Sequence, residues 1–173
     1  MAAHWLSALA IVMAFGLAWS RDLLDSESLR FAVLNLHRQF GLVVLVLWGI
    51  RLLARWLQPP SDSAVALPWL LRSMAAASHA VLYLVLLAMP LLGWAMTSAQ
   101  GHPVVLFNVL PLPALGSTNP DLADTLQDWH EGFAWVLLGL ASLHILAALW
   151  HHWIRRDGVL AAMLPMLKTP KAR

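Results

Sequence analysis

Histidine side chains recur inside the most apolar stretches of this sequence, where a polar group is costly. Ionisable residues in membrane-embedded helices are rare and point to a functional site by default. The structural alternative, a hydrogen bond between helices, contributes only about 0.6 kcal/mol on average. One isolated histidine would fit that alternative, but several at matching depths indicate a shared ligand. The candidates are His4, His37, His79, His130 and His144.

The spacing of these histidines predicts two facing pairs. His130 and His144 lie in one apolar stretch, and fourteen residues of helix place them on nearly the same face, about 21 Å apart along the axis. His37 enters another stretch at the depth of His130. His4 fits the depth of His144, because pairing it with a histidine nearer the C-terminus would draw Asp25 into lipid. The expected pairs are His4 with His144 and His37 with His130.

Two neutral imidazoles that face each other across a helical bundle suit the axial positions of a b-type haem. A bare metal ion would leave uncompensated charge in lipid, whereas a porphyrin adds apolar surface. The absence of cysteine excludes disulfides, thiolate metal sites, iron–sulfur clusters and covalently attached haem. The zinc-protease motif HExxH is incomplete, because Ala134 stands where a motif beginning at His130 needs its second histidine.

Four apolar stretches are long enough to cross a bilayer, which takes about 20 helical residues. Of the 173 residues, 60% are hydrophobic and 12% are charged, and so few charges would not cover a soluble domain. The predicted fold class is all-α, an integral membrane four-helix bundle that occupies residues 1–173 as a single domain. The predicted spans cover about residues 4–20, 31–57, 69–98 and 129–153.

Basic residues predict the orientation, because cytoplasmic loops are enriched in Lys and Arg. Eight basic residues fall at one set of span ends and three at the other, which places both termini in the cytoplasm. The formal net charge is only +2, and these side chains lie beside a membrane, so no nucleic-acid partner is expected. The eight are Arg51, Arg55, Arg72, Arg155, Arg156, Lys168, Lys171 and Arg173; the three are Arg21, Arg30 and Arg38.

The connections between spans are short except for the last. QPPSDSAVALP, at 58–68, joins the second and third spans. The segment from about Ala99 to Gln127 is rich in proline and glycine, which predicts irregular structure with at most a short helix. The first span is not expected to be a signal peptide, because no Lys or Arg precedes it and no A-x-A cleavage site follows it.

Other polar residues near the pairs are candidate partners of a haem. Arg38 and Arg51 could bind propionate groups or extend to the interface. His79 could bond a propionate, contact a quinone or bond a neighbouring helix. Gly41, one turn after His37, could leave room for a macrocycle or aid helix packing.

The remaining three histidines have weaker expectations. His151 and His152 lie near the cytoplasmic interface, where solvation is expected, and His102 is expected in a loop.

In combination, these residues resemble the bacterial di-haem cytochrome b561 family, which is related to the membrane cytochrome b subunits of hydrogenases. The resemblance implies a transmembrane cytochrome b domain with two b haems, each held by two histidines, and its motifs put the ligands at His4, His37, His130 and His144. Only three residues precede His4, fewer than is usual in the family, so a short first turn is expected there. The matching segments are HWL at 4–6, NLHRQFG at 35–41, RLLAR at 51–55, SHAVLYLVLLAMPLLGWAM at 78–96, WHE at 129–131, LH at 143–144 and HHW at 151–153.

The resemblance also implies a function and a location. A multi-pass protein of the bacterial inner membrane is expected to exchange electrons between a periplasmic-side donor and ubiquinone, with lipid, quinone and an additional redox partner as candidate partners. Superoxide is one candidate donor. The outer side carries three basic against seven acidic residues, which disfavours an anion, although Arg38 and His102 could form a local positive patch. The alternative function is a haem-bearing anchor or electron-transfer subunit of a larger dehydrogenase or hydrogenase-like complex.

Overall fold

Four long helices form the body of the protein in a computed structural model that describes residues 1–57 and 69–164. All four are long and apolar enough to cross a membrane, which confirms the predicted all-α four-helix membrane fold. The 58–68 connection and the basic residues Lys168, Lys171 and Arg173 lie outside the described residues. The helices are α1 (Ala2–Ser20), α2 (Glu27–Leu57), α3 (Trp69–Ala99) and α4 (Pro120–Trp150).

The helices pack in chain order, with α1 against α2, α2 against α3 and α3 against α4. Over the described residues, the backbones of α1 and α4 stay largely apart. A second apolar cluster of Ala99, Ala123 and Leu126 joins α3 to α4, whereas side chains from all four helices meet in one small apolar core. That core consists of Ala10, Val44, Val85, Leu86 and Leu137.

The side chains on the outer surface of the bundle are largely apolar. Leu9, Val12, Leu84 and Leu143 are all more than half exposed, as expected for side chains that contact acyl chains instead of water. Exposed tryptophans lie near both ends of the bundle, in the pattern of membrane-interface belts. They are Trp19, Trp129 and Trp135 at one end and Trp5, Trp56, Trp69, Trp150 and Trp153 at the other.

The connection between α3 and α4 is more ordered than its composition indicated. Strands β1 (Val104–Leu106) and β2 (Leu110–Leu112) form an antiparallel hairpin, so the expectation of irregular structure was wrong. The two central residues of its turn, Phe107 and Asn108, both have positive φ, the sign pattern of a type I′ turn. Short strands joined by a tight turn give too little sequence periodicity to be recognised.

Helix α4 begins at Pro120, nine residues before the start of the predicted fourth span at about residue 129. The side chain of Asn119 accepts a hydrogen bond from the backbone N–H of Leu122 at 3.1 Å. An N-cap asparagine followed by proline at the first helical position is a strong start signal. This polar first part of α4 extends beyond the apolar stretch and positions His130 within a continuous helix.

Beyond α4, the chain turns back towards the bundle. A π-helical turn, His151–Arg155, leads through Arg156 and Gly158, both at positive φ, into α5 (Val159–Met163). The indole N–H of Trp5 donates to the carbonyl of Met163 at 3.1 Å. The C-terminal segment therefore contacts the beginning of α1.

His151 is not simply solvated, contrary to the expectation from sequence. It is partly buried, and its Nδ1 atom bonds the Asp157 carboxylate, which also contacts Arg155 at 3.2 Å. Burial alone would raise the pKa of Asp157, but the hydrogen bond from His151, the Val159 amide and the nearby positive charges outweigh it and lower that pKa below its usual value. The ionised carboxylate thus stabilises the turn.

We expect Asp157→Asn to loosen the segment from 157 to 163 at neutral pH. Because the folded pKa of Asp157 is depressed, its contribution is complete above about pH 4, the unfolded value, and is lost as the pH falls through the folded pKa. Amide hydrogen exchange in α5, corrected for intrinsic rates, should be roughly two- to fivefold faster in the variant at pH 7. The difference should vanish under acid conditions; a difference that persists there would contradict the assigned role.

Candidate functional site

Two pairs of histidine rings lie at two levels of the bundle. His37 of α2 faces His130 of α4, with ring centroids 6.1 Å apart and planes at 77°. His4 of α1 faces His144 of α4, with centroids 6.3 Å apart and planes at 58°. The structure therefore brings together the two pairs that spacing had predicted. The two levels are called the His37 end and the His4 end below.

The separation of the rings fits a metal held between them. A metal-bound imidazole nitrogen lies about 2 Å from its metal, so two rings on opposite sides of one iron are expected to have centroids about 6 Å apart. Both pairs meet this expectation. Direct hydrogen bonding between two imidazoles is not observed in either pair among the described residues. The residues present fit the axial positions of the b haem that the family resemblance implies.

His37 is oriented by a backbone carbonyl. Its Nδ1–H donates to the carbonyl oxygen of Ala14 on α1 at 2.8 Å. Because a carbonyl only accepts, this bond fixes the tautomer and leaves the Nε2 lone pair available. Metal-binding histidines characteristically donate their other ring nitrogen in this manner.

His130 lies against the backbone of α3 at Gly93. A Cβ atom at residue 93 would lie 3.4 Å from Cε1 of the His130 ring, so glycine permits this close approach. The Nδ1 atoms of His4 and His130 are buried and have no hydrogen-bond partner within the part of the chain that the structure describes.

A cavity of about 510 Å³ surrounds the His37–His130 pair and is lined by all four long helices. Its size falls within the range of about 300–1,000 Å³ typical of small-molecule and cofactor sites. Arg38 lines this cavity, and its buried Nε atom has no hydrogen-bond partner among the described residues. A guanidinium in that position suits a carboxylate such as a haem propionate.

Gly41 lines the same cavity, and a Cβ atom there would meet nothing within 4 Å. The open space favours the first of its two predicted roles, room for a macrocycle. We expect Gly41→Leu to fill this space and lower haem occupancy at the His37 end by at least half, as measured by the haem-to-protein ratio. Gly49→Leu on the same helix, where the space is also open but outside the cavity, is the matched control. Equal haem content in both variants would contradict this role.

At the His4 end, His144 has a second imidazole neighbour. The ring of His79 lies 5.5 Å from that of His144, at 70°, although His79 itself is exposed whereas His4 and His144 are partly buried. The guanidinium of Arg51 lies 5.3 Å from the centre of the Tyr83 ring, a cation–π contact between α2 and α3. His79 and Arg51 thus belong to this end of the bundle, beside the predicted His4–His144 pair.

Arg38 and His102, which were expected to form a local positive patch, line different cavities. His102 is exposed and lines a smaller cavity near Asp124, whereas Arg38 lines the larger one. Arg21 lines the Arg38 cavity instead. Sequence reasoning missed Arg21, although its position directly after the first apolar stretch was a signal that it ends at this depth.

The described residues contain no group of three or more His, Cys, Asp or Glu side chains that could hold a metal ion by protein ligands alone. Paired imidazoles without further protein ligands suit a cofactor that supplies its own equatorial nitrogens, as a porphyrin does.

The sequence is similar to known proteins over almost its whole length. The family model described as prokaryotic cytochrome b561 matches residues 1–166. "Cytochrome b561 homolog 2" of Escherichia coli (strain K12) is 31% identical over 93% of this chain and 86% of its own length. "Probable superoxide oxidase CybB" of Yersinia pestis is 31% identical over 94% of this chain and 91% of its own. "Cytochrome b561 homolog 1" of the same Escherichia coli strain is 30% identical over 95% and 94%.

Proposed function

Because the chain belongs to the prokaryotic cytochrome b561 family and is a multi-pass, haem-binding cytochrome of the bacterial inner membrane, we propose that it carries two b haems and passes electrons between a periplasmic-side donor and ubiquinone. His37 and His130 hold one haem, and His4 and His144 hold the other. The observation that carries this proposal is the pair of facing imidazoles at each of two levels, with α4 contributing one ring to both.

The protein's own residues hold and shield the cofactors. When bound, a b haem would supply reversible one-electron transfer, and a histidine on each side of it would hold it and exclude oxygen from its iron. The bond to Ala14 aims the ring of His37, Gly93 admits the ring of His130, and Arg38 offers a positive charge to a propionate. Since His130 and His144 are separated by fourteen residues of helix, or about 21 Å, the two sites span much of the bilayer.

The candidate donor is superoxide, which the printed name of the relative from Yersinia pestis suggests. Two superoxide ions and two protons would convert one ubiquinone to ubiquinol and release two molecules of oxygen. The cavity at the His37 end, on the predicted periplasmic side, is lined by Arg21 and Arg38 and also by Asp22 and Glu131. Its charged side chains are therefore balanced in number, and because Arg38 is assigned to a propionate, attraction of an anion would depend on Arg21.

Reconstitution in liposomes that contain ubiquinone tests this function. Enzymatically generated superoxide, supplied to the His37 side, is expected to drive ubiquinol formation that superoxide dismutase abolishes. The His130→Ala variant is the matched control and should lose most of this activity, because it removes one side of the outer pair.

Two outcomes would contradict the proposal. Ubiquinol formation that is insensitive to dismutase would exclude superoxide as the donor. Failure of haem-loaded protein to turn over with any small donor, together with co-purification of a redox partner, would instead favour an anchor subunit of a larger complex.

A further inference from the structure

The tip of the β1–β2 hairpin, residues 106–110, lies at the His37 end and is apolar apart from Asn108, whose side-chain oxygen accepts a hydrogen bond from the Asn35 amide at 3.5 Å. The exposed fractions of Phe107, Val109 and Leu110 are 61%, 81% and 55%. No Asp, Glu, Lys or Arg occurs between Arg72 and Asp121, so no charged side chain of the connection accompanies these residues. A loop that remained in water would not be expected to combine such exposure with complete absence of charge.

The backbone of the tip is strained at its largest side chain. Phe107 has a φ of 53°, a left-handed conformation that is unfavourable for bulky residues and is commonly occupied by Gly or Asn. The aromatic ring of Phe107 nevertheless points away from the rest of the chain, since most of its surface is exposed. The presence of a bulky side chain that weakens the turn and makes few internal contacts is best explained by a contact of that side chain outside the chain.

Polar side chains of α2 set the depth of the hairpin. The Gln39 amide donates to the carbonyl of Val105 at 2.9 Å and accepts from the N–H of Phe107 at 2.7 Å. The apolar layer takes about 20 helical residues, so counting from Arg51 or Arg55 places its other boundary between Phe31 and Asn35. Gln39 lies four to eight residues, or about 6–12 Å, inside that boundary, so the hairpin bonded to it lies at the outer edge of the apolar layer.

The same two hydrogen bonds satisfy the backbone where water is scarce. Unpaired main-chain groups are costly next to lipid, and Gln39 pairs one donor and one acceptor of the hairpin. Pro111, opposite Val105 in the ladder, has no N–H that would need a partner. On the other side, the Trp94 indole donates to the carbonyl of Pro113 at 3.1 Å, which ties the hairpin to α3.

We propose that the hairpin tip, residues 106–110, is an interfacial anchor that inserts Phe107, Val109 and Leu110 into the lipid leaflet at the His37 end. Its partner is the boundary between headgroups and acyl chains, recognised through apolar area without charge. Gln39 is the positioning residue that holds the tip at this depth. This anchor is independent of the electron donor and would persist if the proposed function were wrong.

Because the chain contains no cysteine, a single introduced thiol reports its own site. Val109→Cys, labelled with the environment-sensitive fluorophore NBD and placed in nanodiscs, is expected to show blue-shifted emission. Lipids with a nitroxide near the headgroup should quench it at least threefold more strongly than they quench Ser117→Cys, an exposed site in the same connection. Aqueous iodide should show the reverse preference. Quenching is expressed as a rate constant from the lifetime of each label with and without quencher, which accounts for the different energy transfer from each site to haem.

A second substitution tests the positioning role. In the Val109→Cys background, Gln39→Ala is expected to move the label towards water, with weaker lipid quenching and stronger iodide quenching. The haem absorption spectrum of this double variant verifies that the bundle is intact. Equal quenching of the Val109 and Ser117 labels, by nitroxide lipid and by iodide, would refute the anchor. Equal quenching of a Leu110→Cys label and the Ser117 label by both quenchers would refute it as well. Unchanged quenching in Gln39→Ala would refute the positioning role.

Discussion

His130→Ala is expected to lower the haem content of the purified protein from two b haems per chain to one. The ring of His130 is one of the two imidazoles at the His37 end, and the separate His4–His144 pair should retain its own haem. Without the ring of His130, only His37 would remain to hold a haem at this end, so occupancy there should fall by roughly tenfold or more. A pyridine haemochrome assay against protein concentration measures the ratio.

Three further variants test whether the loss of haem is specific to the His37–His130 pair. His37→Ala should reproduce the loss, because it removes the opposite ring, whereas His102→Ala should retain both haems, because His102 lines a different cavity. In His130→Gly, added imidazole should restore part of the missing haem. Retention of two haems in both His37→Ala and His130→Ala would contradict the pairing at this end.

His144→Ala is expected to remove the haem at the His4 end, whereas His79→Ala should retain it. His144 lies between two imidazole neighbours, with ring centroids 6.3 Å from His4 and 5.5 Å from His79. The separation to His4 is closer to the distance of about 6 Å expected across a shared metal. His79 is also the more exposed of the two, which suits a neighbour of the cofactor better than an axial ligand.

The controls for this second prediction are His4→Ala and His79→Ala measured side by side. Each sample is assayed for haem content and for the reduction potentials of the remaining haems. His4→Ala should lose the same haem as His144→Ala, and His79→Ala should at most shift one potential. Loss in His79→Ala with retention in His4→Ala would reassign the ligand to His79.

The histidine pairs could be foreseen because helix geometry and membrane thickness leave little freedom. Fourteen residues of α4 fix the relation of His130 to His144, and the cost of burying Asp25 fixes the depth of His4. The apolar stretches likewise indicated four spanning helices, since lipid requires every backbone polar group to be paired within its own helix. These constraints act locally along the chain and can be read from it.

Features that depend on contacts between distant segments could not be foreseen. The hairpin is held by Gln39, more than sixty residues away, and the approach of His79 to His144 depends on how α3 packs against α4. The π-helical turn that brings Asp157 to His151 has no periodic signal. By contrast, the early start of α4 was visible in Asn119 and Pro120, and a search for capping signals would have found it.

The most direct test of the central claim combines haem quantification with electron paramagnetic resonance of the oxidised, purified wild-type protein. Two histidine-ligated haems predict a ratio of two b haems per chain, with both irons in the low-spin ferric state. One haem per chain, or a high-spin signal that shows an open axial position, would contradict the assignment of His4, His37, His130 and His144 as the ligands.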